Sequence, residues 1–111
     1  MNAWETQLRK GVVELAVLAS IARGESYGYQ IVVRLGEMEG LALTESTVYP
    51  VLTRLARDGV LAVRLEASPS GPTRRYYRLT DEGRAHLARM TASWTTVSGS
   101  LNRLIEGAQD R

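Results

Sequence analysis

Residues 44–83, TESTVYPVLTRLARDGVLAVRLEASPSGPTRRYYRLTDEG, decide the fold, because the hydrophobic period changes within them. Val48, Val51, Leu52 and Leu55 share one face at helical spacing, the stripe of an amphipathic helix. Thr44 or Ser46 can cap its start, Glu45 lies near its positive end, and Asp58-Gly59 stops it. Pro50 falls close to the N-terminus, where its missing N–H costs at most about one hydrogen bond. From Val60 to Glu66 the pattern becomes β-prone, with Leu61, Val63 and Leu65 alternating. Residues 67–73 hold two of the three prolines and read as a loop, and Arg74–Thr80 follow as a tyrosine-rich second strand. A helix followed by a long-tipped hairpin is the second half of a winged helix.

Upstream, residues 8–23 contain few breakers apart from Gly11 and are apolar on nearly all sides (Leu8, Val12, Val13, Leu15, Val17, Leu18, Ile21). This predicts a helix buried on more than one face. Arg23-Gly24-Glu25-Ser26 ends it, with Ser26 placed to cap the next helix. Gly28, Ile31, Val32 and Leu35 form the inward stripe of that second helix, which Gly36 and Gly40 end by about residue 40. Leu41-Ala42-Leu43 is a short apolar link with the makings of a minimal strand. The expected fold class is mainly α with a small β-hairpin: a winged helix-turn-helix plus a long C-terminal helix.

That closing helix starts at Thr80-Asp81-Glu82, a cap with two acids in the first turn. Leu87, Met90, Trp94, Val97, Leu101 and Leu104 then follow at spacings of 3, 4, 3, 4 and 3, an a/d heptad seam. A helix of about 25–29 residues spans roughly 40 Å, more than a domain of this size can cover, so a second copy of the chain is expected on the seam. The competing arrangement folds the helix back on its own domain. The expected division is a winged-helix DNA-binding domain over residues 1–79 and a dimerisation helix over residues 80–111.

Composition narrows the function. At 111 residues, 44% hydrophobic and 23% charged, the chain fits one domain. It has no cysteine and one histidine, which excludes disulfides and thiolate metal sites and argues against any metal centre. No nucleophile–base arrangement is present, and Asp81-Glu82 is explained by helix capping, so neither an enzyme nor a cofactor is expected. No apolar run approaches a membrane span and the N-terminus does not read as a signal peptide, so a cytoplasmic setting is expected. Net charge is only +2, but residues 44–79 carry six arginines against three acids while the segments on either side are near neutral. Thirteen of the fourteen basic residues are arginine, whose planar fork suits phosphate and guanine edges. A compositional preference for arginine explains that ratio equally well, but not the clustering.

Four stretches together resemble the PadR family of winged-helix transcriptional regulators: Leu18–Gly28 with the turn running on to Tyr29, Thr47–Leu55, Asp58–Leu61 and Arg74–Gly83. The resemblance spans most of residues 8–90 and implies a homodimeric repressor on a palindromic operator. The single closing helix is similar to short-tailed, multidrug-sensing members. In those, a tryptophan on the last helix faces its symmetry mate and flanks a flat ligand at the dimer interface. Ser93-Trp94, with Val97 one turn on, stands at that place. Thr91 replaces an aromatic residue and Ser98 an acid of that pattern, and without the acid cationic ligands lose an attraction.

The candidate residues follow, each with a plainer role beside it. Ser46, Thr47 and Tyr49 lie at the start of the third helix, where a helix-turn-helix meets base edges and phosphates; Ser46 could be only a cap and Tyr49 only rim packing. Arg54 reaches toward phosphate or base, or is simply solvated. Arg74 and Arg75 flank the wing tip, placed for backbone or minor groove, or they form a charged edge that deters strand pairing. Alternation puts Tyr77 with Leu79 and Tyr76 on the other face, so Tyr76 is the candidate for DNA contact. Leu15, Leu18, Trp94 and Ser98 are the ligand candidates, core packing being the rival role for both leucines, and the bound molecule is expected to be small, planar and aromatic. Leu87, Met90, Trp94, Val97, Leu101 and Leu104 are the dimer-interface candidates. Glu14 either reaches water at a pore or pairs with an arginine, and His86 is expected to be an exposed helix residue. The rival function is a winged-helix adaptor that binds protein rather than DNA.

Overall fold

The computed structural model describes residues 2–109; Met1 and residues 110–111, the outer ends of the two expected units, lie outside them. Seven elements follow in order: α1 (Ala3–Ala22), β1 (Ser26–Tyr27), α2 (Gly28–Glu37), α3 (Glu45–Arg57), β2 (Leu61–Ser68), β3 (Gly71–Leu79) and α4 (Asp81–Gln109). Val17, Leu18 and Ile21 of α1 meet Ile31, Val32 and Leu35 of α2 and Val48, Leu52 and Leu55 of α3 in one core. Val60, Leu61, Tyr77 and Leu79 close it from the hairpin side. This is a winged helix with a long appended helix, as the periodicity predicts.

The α2 and α3 stripes bury as read, Val51 being only half-buried. The differences lie where backbone pairing outweighs composition. Ser26 does not cap α2; it is buried in a two-residue strand that pairs with β3, Ser26 opposite Tyr77 and Tyr27 opposite Tyr76. Such a strand is too short to show a period, and its partner lies fifty residues away. The hairpin loop is also shorter than the expected 67–73. Pairing runs out to Ser68 opposite Gly71, with an irregularity between Glu66 and Ser68, because a ladder needs backbone groups rather than β-prone side chains. Leu41–Leu43 form no strand: the N–H groups of Leu41 and Ala42 donate to the Met38 carbonyl, and Ala42 takes φ +42°.

Helix α1 starts five residues before the expected position, capped by Asn2, whose Oδ1 accepts from the Glu5 N–H at 2.8 Å. It is not buried on more than one face within this chain. Only Val17, Leu18, Ser20 and Ile21 are buried, and Trp4 and Leu8 are exposed. Helix α4 is tied down at its start. Thr80 Oγ1 accepts from the Gly83 N–H at 2.9 Å and donates to the Gly59 carbonyl at 2.7 Å, so the cap also fastens α4 to the α3–β2 turn. Leu87 and Met90 pack against the core, but Trp94, Val97, Leu101, Leu104 and Ile105 remain exposed, Leu104 by 71%. The helix does not fold back, and the molecule extends 60 Å along its long axis.

Candidate nucleic-acid interface and an apolar groove

Thr44, in extended conformation, is the N-cap position of α3, and its hydroxyl lies 3.1 Å from Ser46 Oγ and 3.4 Å from Thr47 Oγ1. Ser46 is therefore an exposed hydroxyl in the first turn, while Thr47 is half-buried beside Thr6 and Lys10 of α1. Tyr49 lies against the start of α2 so closely that a Cβ on Gly28 would approach its Cε1 to 2.8 Å. Burial and the nearby Glu45 push the Tyr49 phenol pKa up, keeping it a neutral donor.

Between α3 and the hairpin opens a cleft of about 720 Å³. Tyr49 and Thr53 form its α3 wall, Arg74 and Arg75 its hairpin wall, and Tyr27 and Tyr29 its floor toward α2. Thr53, Tyr27 and Tyr29 are additions that periodicity passes over. The signal available for the two tyrosines is their placement directly after the glycine turn at Gly24. The Arg64 guanidinium sits 4.6 Å over the Tyr76 ring, and Arg74 of the cleft wall sits 4.5 Å over Tyr27. The Tyr27 and Tyr76 centroids are 5.6 Å apart. Arg64 is held by Glu25 at 2.7 Å and Glu66 at 3.1 Å, and hydrogen bonds from Arg64 hold the exposed Glu25 carboxyl below its ordinary pKa. Tyr76 is thus half-buried beneath a paired arginine, whereas Arg75 is exposed and in no ion pair among the described residues. Tyr77 is buried with Leu79, and burial pushes its phenol pKa up.

Arg54 is placed differently from the sequence expectation. It turns from the cleft toward α1, where its Nη2 donates to Glu14 Oε1 at 2.6 Å; Asp58 lies 3.9 Å away. The arginine pairing open for Glu14 is the one found. His86, expected in solvent, is half-buried, with its Nε2 2.8 Å from Glu14 Oε2. A carboxylate only accepts, so the imidazole proton sits on Nε2. Burial pushes the Glu14 carboxyl up, but the hydrogen bonds from His86 and Arg54 more than offset this and leave its pKa below the ordinary value.

His86 also lines a groove of about 520 Å³ between α1 and α4. Its walls are mostly apolar, with Trp4, Leu8, Val12 and Leu15 from α1 and Met90 and Trp94 from α4, and Gln7, Arg89 and Ser93 also line it. The volume is in the range of small-molecule pockets. Of the four ligand candidates, Leu15 and Trp94 line it. Leu18 has no accessible surface and is a core residue, because it points from α1 into the α2–α3 packing. Ser98 lies one turn beyond Trp94, its hydroxyl 3.5 Å from the Thr95 carbonyl, outside the lining. Trp4 is the residue missed, since nothing in its local sequence marks it. Among the described residues no group of three His, Asp or Glu could hold a metal ion, and no helix is long and apolar enough to cross a membrane.

A family model described as the transcriptional regulator PadR-like family matches residues 17–89. The transcriptional regulator Rv3488 of Mycobacterium tuberculosis is 35% identical over 81 residues, 73% of this chain and 74% of that protein. A crystal structure of a PadR-like transcriptional regulator from Bacillus cereus superposes with a TM-score of 0.79 at 35% identity, over 89% of this chain and 96% of that one. A Bacillus subtilis PadR crystallised with operator DNA matches with a TM-score of 0.66 at 28% identity, over 72% of this chain and 46% of that one.

Proposed function

The chain belongs to the PadR-like family of transcriptional regulators, DNA-binding proteins rather than enzymes, and from this we propose that it is a homodimeric repressor relieved by a small planar ligand. The observation that carries the DNA-binding reading is the concave face shared by α3 and the hairpin. It brings Tyr49 and Thr53 together with Arg74 and Arg75 on exposed or half-exposed surface, and Ser46 is exposed one turn earlier on α3. The B. subtilis relative bound to operator DNA supports the same use of the fold. Helix α3 enters the major groove with its hydroxyl-bearing first turns, and the wing arginines lie against the adjacent backbone or minor groove. Arg54, committed to Glu14, serves to seat α3 rather than to touch DNA.

Residues 1–79 form the DNA-binding unit, and α4 forms the clamp. The uncovered seam from Trp94 to Leu104 supports dimerisation, because an exposed apolar strip of this length on a monomer marks an interface. Two-fold pairing through α4 presents two α3 helices to half-sites about one helical turn apart on a palindromic operator. The α1–α4 groove, open beside that seam, is the ligand site. Trp94 stands where the likeness to short-tailed, multidrug-sensing relatives implies a ligand-flanking tryptophan, and Trp4 adds a second aromatic side chain to the lining.

A gel shift on the DNA upstream of the protein's own gene tests the reading. Affinity is expected to fall by orders of magnitude between roughly 50 and 200 mM salt, as phosphate neutralisation requires. No shift at low salt with dimeric protein would replace the repressor by a winged-helix adaptor.

A further inference from the structure

Glu14 occupies the junction of three helices. It projects from α1 between α3 and α4, half-buried, and each carboxylate oxygen is taken by a different neighbour: Oε1 by Arg54 of α3 at 2.6 Å, Oε2 by His86 of α4 at 2.8 Å. His86 is at the same time a wall of the apolar groove, and α3 is the helix that fronts the wing cleft. A carboxylate withdrawn from water is costly unless both its oxygens are served. Neither partner can leave without the other hydrogen bond taking over the full burden of the charge.

With the groove as ligand site and α3 as the DNA-reading helix, as proposed above, we infer that Glu14 is the positioning residue that transmits groove occupancy to DNA. A ring inserted between Trp4 and Trp94 meets the His86 imidazole on the groove wall. Displacing it from Glu14 Oε2 changes how firmly the carboxylate holds Arg54, and with it the seating of α3 against α1. The two sites are thereby coupled through one planar group whose two oxygens serve different helices, a contiguous hydrogen-bonded link between them.

The test is a thermodynamic cycle on the intact dimer, with anilinonaphthalene sulfonate as the groove probe and the duplex upstream of the gene as the DNA. In the wild-type protein saturating probe is expected to weaken DNA binding about tenfold, within the usual range of coupling between sites. In Glu14→Gln and in His86→Gln that factor is expected to fall below about twofold, while circular dichroism stays near wild type and each ligand's own affinity is measured so that the factor is a ratio within each variant. A purely structural ion pair would lower the melting temperature in these variants and leave the coupling factor intact; that result overturns the relay and leaves the ligand site standing. Loss of coupling in only one variant also overturns it, because a chain fails when either link is cut. A probe that does not bind the wild type, or binds without affecting DNA affinity, removes the ligand reading and the relay together.

Discussion

Gly83→Ala is a sharp test of how α4 is anchored. A Cβ built on Gly83 lies 2.1 Å from the Val60 carbonyl oxygen, 3.1 Å from its carbon and 3.3 Å from Thr80 Oγ1. Carbon–oxygen contacts settle near 3.3–3.6 Å, so the first turn of α4 and the β2 entry must part by roughly 1 Å. The Val60 oxygen cannot move freely, since it accepts from the Thr80 N–H at 3.2 Å and lies 3.1 Å from the Thr80 hydroxyl. Overpacking of this kind costs about 1–3 kcal/mol, and disturbing the Thr80 cap adds about 1 kcal/mol, giving about 2–4 kcal/mol in all. For a domain near 100 residues that is a fall in Tm of roughly 10–20 °C. Thermal unfolding by circular dichroism measures it, at one fixed protein concentration because dimerisation couples to Tm. Gly107→Ala is the control: its Cβ meets nothing within 4 Å, and the change is expected to be neutral or stabilising by up to about 1 kcal/mol. A Gly83→Ala protein within about 0.5 kcal/mol of wild type would refute the packing argument.

If the chain dimerises through α4 as proposed, charged substitution of Leu101 and Leu104 together is expected to leave a monomer in sedimentation experiments and to abolish operator binding. A persistent dimer would place the interface elsewhere, and a monomeric wild type would remove the dimer reading. Replacing Arg74 and Arg75 by alanine should flatten the slope of log affinity against log salt by about 2, near 0.9 per lost phosphate contact, and an unchanged slope would take both off the DNA. Glu14 has a folded-state pKa below its ordinary value, so the stability it confers is present above the unfolded pKa and disappears as pH falls through the folded one. Between roughly pH 5 and pH 3 wild type should lose stability more steeply than Glu14→Gln, and parallel acid limbs would show that the hydrogen bonds confer no such stability. Planar aromatic compounds should quench tryptophan fluorescence through Trp4 and Trp94 alike, since both line the groove; quenching that survives Trp94→Ala at full affinity would move the site.

What could be read from the chain follows the range of the forces involved. Helices α2 and α3 announce themselves because their stripes bury against one core, and Tyr77 could be assigned inward from its alternation with Leu79. The wing face was half legible: Arg74 and Arg75 stand out by charge, but the stacking of Arg64 on Tyr76 joins residues of two strands and shows in neither alone. Arg54, Glu14 and His86 come from positions 40 and 72 residues apart, so a local reading leaves each with its own separate role. Leu18 and Leu15 look alike on an apolar helix, and only the packing of α2 and α3 sends one to the core and leaves the other in the groove.

The exposed seam of α4 also bears on fidelity among related chains in one cell. The positions flanking Trp94, Val97, Leu101 and Leu104 are Ser93, Ser98, Ser100 and Ile105, none of them charged. Coiled pairs usually choose mates by attraction and repulsion at such flanking sites, and this helix has no electrostatic code there. In the α4-mediated pair proposed above, discrimination between self and a related chain would therefore fall to shape, above all to the space around Trp94. A single change of bulk at that point would redraw which regulators mix, without touching a residue that meets DNA.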